Sequence, residues 1–132
     1  MRVYADSSFI VSLYIPRQQT EAALSEMDAI KTPGDSLYLS DLAPAETTNA
    51  VYLGVFRKAF SEAQASSVLS ELSADIDAAV FRLLPSSPVM WKTANQLTRT
   101  YVASLGCRSL DVLHTAIAVL LNAELFLTFD NR

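Results

Sequence analysis

Four short runs of β-branched, aromatic and leucine residues punctuate the chain and predict the strands of a sheet. The connections between them are long and mostly helical in pattern, and no two-residue hairpin turn joins any pair. Parallel strands need crossovers of this kind. We therefore predict a three-layer α/β/α fold with a mainly parallel sheet of four to five strands. The four runs are Arg2–Ala5, Leu37–Ser40, Val80–Leu84 and Leu125–Phe129.

Six helices are predicted from capping residues and apolar stripes. Ser7 or Ser8 is expected to cap the first helix, and Thr20 the second. The third helix is predicted from near Pro44 to about Lys58. The connections between the strands thus have the length and pattern that a parallel sheet requires.

The last three predicted helices have the clearest signals at their ends. Ser61 followed by Gln64 has the spacing of a capping box. Ser87 directly precedes a proline and predicts the next start, with Gly106 just beyond the end of that helix. The sixth helix is expected to begin at Ser109. The residues expected to face the core are Met90, Ala94, Leu97, Tyr101 and Leu105 in the fifth helix, and Leu113, Ala116, Ile117, Leu120 and Leu121 in the sixth.

The length and composition predict a single α/β domain spanning residues 1–132. The chain has 132 residues and is 51% apolar, which is enough for one core and too apolar for a disordered segment. It ends soon after the last predicted strand, where a parallel unit normally adds a covering helix. We expect either a truncated end or a partner that covers this face.

Charge, cysteine content and missing motifs exclude several protein classes. Fourteen acidic residues outnumber ten basic ones, so a strongly basic nucleic-acid surface is absent. The single cysteine excludes an internal disulfide and a cysteine zinc cluster, and it fits a cytoplasmic protein. The longest apolar run is too short for a membrane span. The chain lacks a glycine-rich phosphate loop, a nucleophile elbow and a dinucleotide fingerprint, which argues against NTPases, serine hydrolases and dinucleotide-dependent enzymes.

Four acidic residues occupy strand ends and helix starts, where parallel α/β sheets carry their functional groups. Asp6 directly follows the first predicted strand, and Asp130 closes the last one. Glu46 and Asp111 lie in the first turns of the third and sixth predicted helices. Because these positions meet at one edge of the sheet, we expect the four carboxylates to share a cleft.

Carboxylates in one cleft repel one another unless a cation compensates their charge. Hard oxygen ligands favour Mg²⁺ or Mn²⁺ over zinc. The expected chemistry is metal-assisted hydrolysis of a phosphate ester. Apart from these four, acidic and basic residues are equal in number, so the net negative charge could reside at the cleft.

Each of these residues also has an ordinary structural interpretation. An acid in the first turn of a helix complements the helix dipole, which alone could explain Glu46 or Asp111. Asp6 could be a simple cap and Asp130 a turn residue. It is the coincidence of all four that favours a site. His114 could point into the same cleft, but the favoured interpretation is a polar tip beside the core stripe of the sixth helix.

In order and spacing, these residues resemble a PIN domain. The resemblance covers nearly the whole chain, and the size is similar to that of the toxins of VapBC-type toxin–antitoxin systems of prokaryotes. The matching segments are Asp6-Ser7-Ser8 after the first strand, Glu46 with Asn49 three residues on, Arg108-Ser109-Leu110-Asp111-Val112-Leu113-His114 at a helix start, and Thr128-Phe129-Asp130 at the last strand.

This resemblance implies a Mg²⁺- or Mn²⁺-dependent endoribonuclease that acts as a dimer. A small antitoxin would hold it inactive by blocking the cleft with its C-terminal segment. The implied metal-binding and catalytic residues are Asp6, Glu46, Asp111 and Asp130, and the implied supporting or substrate-binding residues are Ser7, Ser8, Asn49, Thr128 and Arg108.

The high apolar fraction independently predicts a twofold homodimer, because a small domain cannot bury all of its apolar residues. Some of four residues are expected at its interface: Tyr52, Phe56, Met90 and Trp91.

Two other functions stay open. The first is a catalytically inactive PIN-like module that binds RNA or protein, against which the intact set of four acids argues. The second is a phosphatase that uses the aspartate after the first strand as its nucleophile. That chemistry usually needs a second carboxylate two residues later, where this chain has Ser8.

Overall fold

Four parallel strands form the central sheet of the computed structural model, which describes residues 1–15, 19–30 and 34–129. Their order is β3-β2-β1-β4, and β1 pairs with both β2 and β4. The predicted α/β/α class and the parallel sheet are confirmed. The strands are β1 (Arg2–Ala5), β2 (Ser36–Ser40), β3 (Arg82–Leu84) and β4 (Leu125–Leu127).

The connections between the strands are helical, as the sequence predicts. None of the helices in the part of the chain that the structure describes is long and apolar enough to cross a bilayer. The helices are α1 (Ser7–Tyr14), α2 (Thr20–Ala29), α3 (Ala43–Phe56), α4 (Glu62–Asp77), α5 (Pro88–Leu97), a π-helical segment (Thr98–Val102), α6 (Ala103–Leu105) and α7 (Ser109–Leu121).

Most of the predicted helix ends are confirmed, because their signals are local in sequence. The capping box forms: the backbone N–H of Gln64 donates to Ser61 Oγ (3.1 Å), and the N–H of Ser61 donates to Gln64 Oε1 (2.8 Å). Ser87 caps α5 through the N–H of Met90. The prediction for Thr20 is wrong, since its hydroxyl donates to backbone carbonyls of the preceding segment and α2 has no side-chain cap.

The apolar stripe predicted for the fifth helix is wrong beyond Leu97. The π-helical segment has a wider turn than an α-helix, so it shifts the phase of the residues that follow. Tyr101 is 50% exposed and Leu105 is 69% exposed. Val102 instead packs against the cluster formed by α5 and α7. Leu120 of α7 is also exposed rather than part of the core.

The core has a layer on each face of the sheet, as the alternation of β1 requires. Val3 and Ala5 face one layer and Tyr4 faces the other. Met90 is buried in the layer around Tyr4, as its place in the predicted core stripe of the fifth helix requires, so of the four interface candidates it is the one that belongs to the core. Trp91, beside it, is exposed, as are Tyr52 and Phe56.

Candidate active site

Asp6 lies at the carboxyl end of β1, and its side chain is the N-cap of α1. Its Oδ1 accepts hydrogen bonds from the N–H of Phe9 (3.2 Å) and from Ser8 Oγ (2.6 Å). Ser8 Oγ in turn lies 3.3 Å from Thr128 Oγ1 and accepts the N–H of Phe129 (2.9 Å). The predicted cap at Ser7 or Ser8 is therefore wrong, and Ser8 instead connects Asp6 to the segment after β4.

Glu46 reaches the same region from the first turn of α3. Its Oε2 accepts a hydrogen bond from Ser7 Oγ at 2.9 Å, and its Oε1 lies 2.7 Å from Nε2 of His114. Ser7 directly follows Asp6 in the chain. Two of the four carboxylates predicted to share a cleft, those of Asp6 and Glu46, are thus bonded to consecutive residues of α1.

His114 is buried on α7, with 3% of its surface exposed, and both ring nitrogens have partners. Nδ1 is hydrogen-bonded to the hydroxyl of Tyr4, and Nε2 to Glu46. The favoured interpretation of His114 as a mere polar tip is wrong, because the ring points at one of the candidate acids.

The pKa of the Tyr4 hydroxyl is raised by its burial and by nearby carboxylates. Burial raises the pKa of its hydroxyl well above the usual range, and three negative charges raise it further, those of Glu46, then Asp6, and last Asp41. A backbone hydrogen bond with Ser40 acts in the opposite direction. Sequence reasoning missed Tyr4, although strand alternation places Tyr4 and Asp6 on the same side of β1 and was available as a signal.

Asp111 lies in the first turn of α7, one helical turn before His114 and on the same side of the helix. It is half-buried and lines a cavity of about 260 Å³ together with Tyr101 and Cys107. Asp130, the fourth predicted acid, lies outside the described residues.

The two remaining predicted residues are exposed. Asn49 lies one turn after Glu46 on α3. Arg108 is the N-cap residue of α7, and its side chain makes no capping hydrogen bond. Both are open to a substrate, but neither contributes to the hydrogen bonds around Asp6 and Glu46.

Asp41, at the end of the neighbouring strand β2, has a structural role. Its two carboxylate oxygens accept hydrogen bonds from the backbone N–H (2.9 Å) and the hydroxyl (2.8 Å) of Ser86. These bonds tie the end of β2 to the loop before α5. Asp41 therefore serves as a matched structural control for Asp6.

The side chains around Asp6 and Glu46 offer oxygen atoms, which are the ligands that hard cations prefer. The carboxylates of Asp6 and Glu46 are each hydrogen-bonded to a serine hydroxyl, and Mg²⁺ often binds through one or two carboxylates together with water and substrate phosphate. Across residues 1–15, 19–30 and 34–129, no group of three or more His, Cys, Asp and Glu side chains is arranged to hold a metal ion.

Comparison with known proteins gives a family. The family model for the PIN domain matches residues 3–132, which is nearly the whole chain. No curated protein sequence matches the chain.

Solved structures share the fold at low sequence identity. VapC20 of Mycobacterium tuberculosis, described as a toxin that cleaves the sarcin–ricin loop, has a TM-score of 0.70 and 18% identity over 98% of this chain and 90% of that chain. FitAcB of Neisseria gonorrhoeae has a TM-score of 0.71 and 20% identity over 93% of this chain and 84% of that chain. VapBC2 of Rickettsia felis, bound to a DNA fragment from its promoter, has a TM-score of 0.68 and 18% identity over 95% and 86%.

Proposed function

The chain belongs to the PIN domain family, and from that premise we propose that it is a metal-dependent endoribonuclease, the toxin of a type II toxin–antitoxin pair. The proposed reaction is hydrolysis of RNA phosphodiester bonds with Mg²⁺ or Mn²⁺. The proposed cleft consists of Asp6, Glu46, Asp111 and Asp130.

One observation carries this proposal: Asp6 and Glu46 converge from separate elements onto consecutive serines at the carboxyl end of the central strand. A carboxylate that only caps a helix needs no second carboxylate beside it. Charges of like sign are kept together at a cost, and a bound cation would remove that cost.

The residues of this chain would divide the work. When bound, the ion would polarise a water molecule and stabilise the phosphate oxygens that gain charge. Asp6 and Glu46, with Asp111 and Asp130, would hold it. Ser7 and Ser8 restrain the two described carboxylates that they contact, and the exposed side chain of Arg108 is available to a phosphate group.

The two alternatives have less support. A phosphatase would need a proton donor two residues after its nucleophile, but Ser8 has no carboxylate and its hydroxyl donates to Asp6 itself. An inactive binding module would not need a carboxylate at Glu46 with a donor on each oxygen. Both alternatives remain outcomes of the experiment below.

The proposed partners follow from the family resemblance. They are an RNA substrate, a small antitoxin that blocks the cleft, and a second copy of this chain. We expect the protein to act in the cytoplasm, where its RNA substrate is found and where a lone cysteine stays reduced.

The test is cleavage of total cellular RNA by the purified protein in Mn²⁺ or Mg²⁺, with EDTA as the metal-free arm. We expect cleavage that EDTA abolishes and that Glu46→Gln and Asp111→Asn each reduce by orders of magnitude. The control is Asp41→Asn, which removes the charge of a strand-end carboxylate that is bonded to Ser86 and should leave the rate unchanged. Cleavage that persists in EDTA, or an inert wild-type protein that neither cuts RNA nor binds Mn²⁺, would contradict the proposal.

A further inference from the structure

Four side chains from four different elements form a continuous hydrogen-bonded chain behind the candidate site. Tyr4 of β1 contacts Nδ1 of His114 on α7, and Nε2 of His114 contacts Oε1 of Glu46 on α3. Ser7 of α1 contacts the other oxygen of Glu46. None of these bonds belongs to the backbone pattern of a helix or strand, so none is needed to form those elements.

The direction of the bonds follows from the chemistry of the groups. The Glu46 carboxylate only accepts, so Nε2 of His114 carries a hydrogen and donates it. At Nδ1 the partner is the Tyr4 hydroxyl, which can donate to a bare ring nitrogen or accept from a protonated one. The ring of His114 is thereby held between its two partners, with the hydrogen of Nε2 directed at Glu46. This is the arrangement by which an outer residue orients a carboxylate.

The side chains in this series of hydrogen bonds become more exposed from Tyr4 to Glu46. Tyr4 is fully buried and His114 is 3% exposed, whereas the Glu46 side chain is 18% exposed. The hydrogen bonds therefore run from the interior outwards and end on the group that faces solvent. His114 is followed on α7 by the buried apolar residues Ile117 and Ala118, so a leucine at position 114 suits a buried position.

We propose that His114, oriented by Tyr4, is a positioning residue that holds the carboxylate of Glu46 in the orientation that the metal-dependent reaction needs. This proposal rests on the proposed function. Each oxygen of Glu46 has one donor, from His114 or Ser7, and keeps lone-pair capacity for a further ligand. A hydrogen bond at each oxygen restricts rotation of the carboxylate and so sets the direction that it presents to a metal ion.

Three variants separate positioning from packing. His114→Leu fills the space without a donor, His114→Gln keeps an N–H donor, and Tyr4→Phe removes only the hydroxyl that orients the ring. We expect His114→Leu to lower the affinity for Mn²⁺ and the kcat for RNA by about 10–100-fold, the usual effect of losing an outer partner of a metal ligand. His114→Gln should recover part of this loss, and Tyr4→Phe should lose less than His114→Leu. The KM for RNA should not change, because the buried ring does not contact the substrate.

A double-mutant cycle tests whether His114 acts through Glu46. In a Glu46→Gln background, His114→Leu should cause no further loss of Mn²⁺ affinity, whereas independent effects would add. Additive losses would overturn the proposal. So would wild-type kcat and Mn²⁺ affinity in His114→Leu, provided that its denaturation midpoint shows a folded protein.

A spectroscopic measurement keeps the proposal separate from the proposed function. His114 is the only histidine of the chain, so ¹⁵N NMR of the imidazole gives one pair of ring signals. We expect a hydrogen on Nε2 in the wild type, and a change in the ring signals in both Glu46→Gln and Tyr4→Phe. If the imidazole signals are the same in wild type and in Glu46→Gln, the positioning role is overturned, even if the protein cleaves RNA. A wild type that neither binds Mn²⁺ nor cleaves RNA would overturn the proposed function, whatever the tautomer. If His114→Leu fails to fold, Tyr4→Phe and His114→Gln decide the matter through Mn²⁺ affinity and kcat.

Discussion

Asp6 has two roles at the scale of the single residue, and they respond differently to substitution. Its Oδ1 caps α1, and in the proposed function its charge binds a metal ion. Asparagine is as good an N-cap as aspartate, but it carries no charge.

We therefore expect Asp6→Asn to leave the free energy of unfolding unchanged or raised, since it keeps the cap and would relieve the repulsion between carboxylates in the proposed cleft. RNA cleavage should fall by orders of magnitude. Asp6→Ala should also abolish cleavage and, by losing the cap, should cost about 0.5–2 kcal/mol of stability. Urea denaturation in EDTA, paired with a cleavage assay in Mn²⁺, measures both. An Asp6→Asn protein that is stable and fully active would end the assignment of Asp6 to the site.

Tyr14 gives a second residue-scale prediction, at high pH. Burial, followed by its hydrogen bond to Asp75, raises the pKa of Tyr14 above the usual value of 10.0. Above that pH the unfolded chain loses this phenolic proton while the folded chain keeps it, so stability falls as the pH rises. We expect Tyr14→Phe to flatten the decline of the unfolding free energy above pH 10, as measured by urea titrations at several pH values. Tyr101→Phe, at a half-exposed ring, is the control, and an equal slope in wild type and Tyr14→Phe would contradict the assignment.

The candidate site was only partly predictable from the sequence, for a physical reason. The strand-end place of Asp6 and the first-turn place of Glu46 follow from local patterns, and the structure has both there. The partners of His114 are separated from it by 110 residues at Tyr4 and 68 at Glu46, and local spacing carries no information about such pairs. Only the register of β1 and the packing of α7 bring them together.

At the scale of the element, helix ends were predictable and helix phase was not. The capping box at Ser61 depends on bonds between residues three apart, so its signal is complete within the sequence. The π-helical segment after Leu97 changes the number of residues in a turn without a local signal. The prediction that the apolar stripe continues through this segment is therefore wrong at Tyr101, which is exposed.

Gly54 of α3 shows how a single small residue lets two elements meet. A Cβ atom at this position would overlap the ring of Phe60 from the connection to α4. That ring packs on the cluster of α1, α3 and α4 around Val51.

We expect Gly54→Ala to destabilise the protein by about 1–3 kcal/mol, as overpacking does. This loss should exceed the gain of about 1 kcal/mol that alanine brings within a helix. Adding Phe60→Leu should recover part of the loss, because the smaller side chain makes room for the methyl group. Thermal or urea denaturation of both variants measures the effect, and a stabilised Gly54→Ala would show that the ring moves away freely.

At the scale of the whole molecule, the sequence indicates more apolar surface than one domain buries. Tyr52 and Phe56 are four residues apart on α3, so they lie on the same face of the helix. Both are exposed, Phe56 at 82%. An apolar face of this kind on a folded chain is typical of an interface between proteins.

We expect this face of α3 to form a twofold symmetric homodimer, in which each copy buries the same patch. Light scattering at micromolar concentration should give twice the mass of the chain. Phe56→Glu should yield a folded monomer, since it places an unpaired charge at the centre of the contact, where burial is most costly. Leu24→Glu, an equal change at an exposed leucine of α2, should leave the dimer intact. A wild-type monomer, or a dimer that survives Phe56→Glu, would show that a different surface or a different partner covers this face.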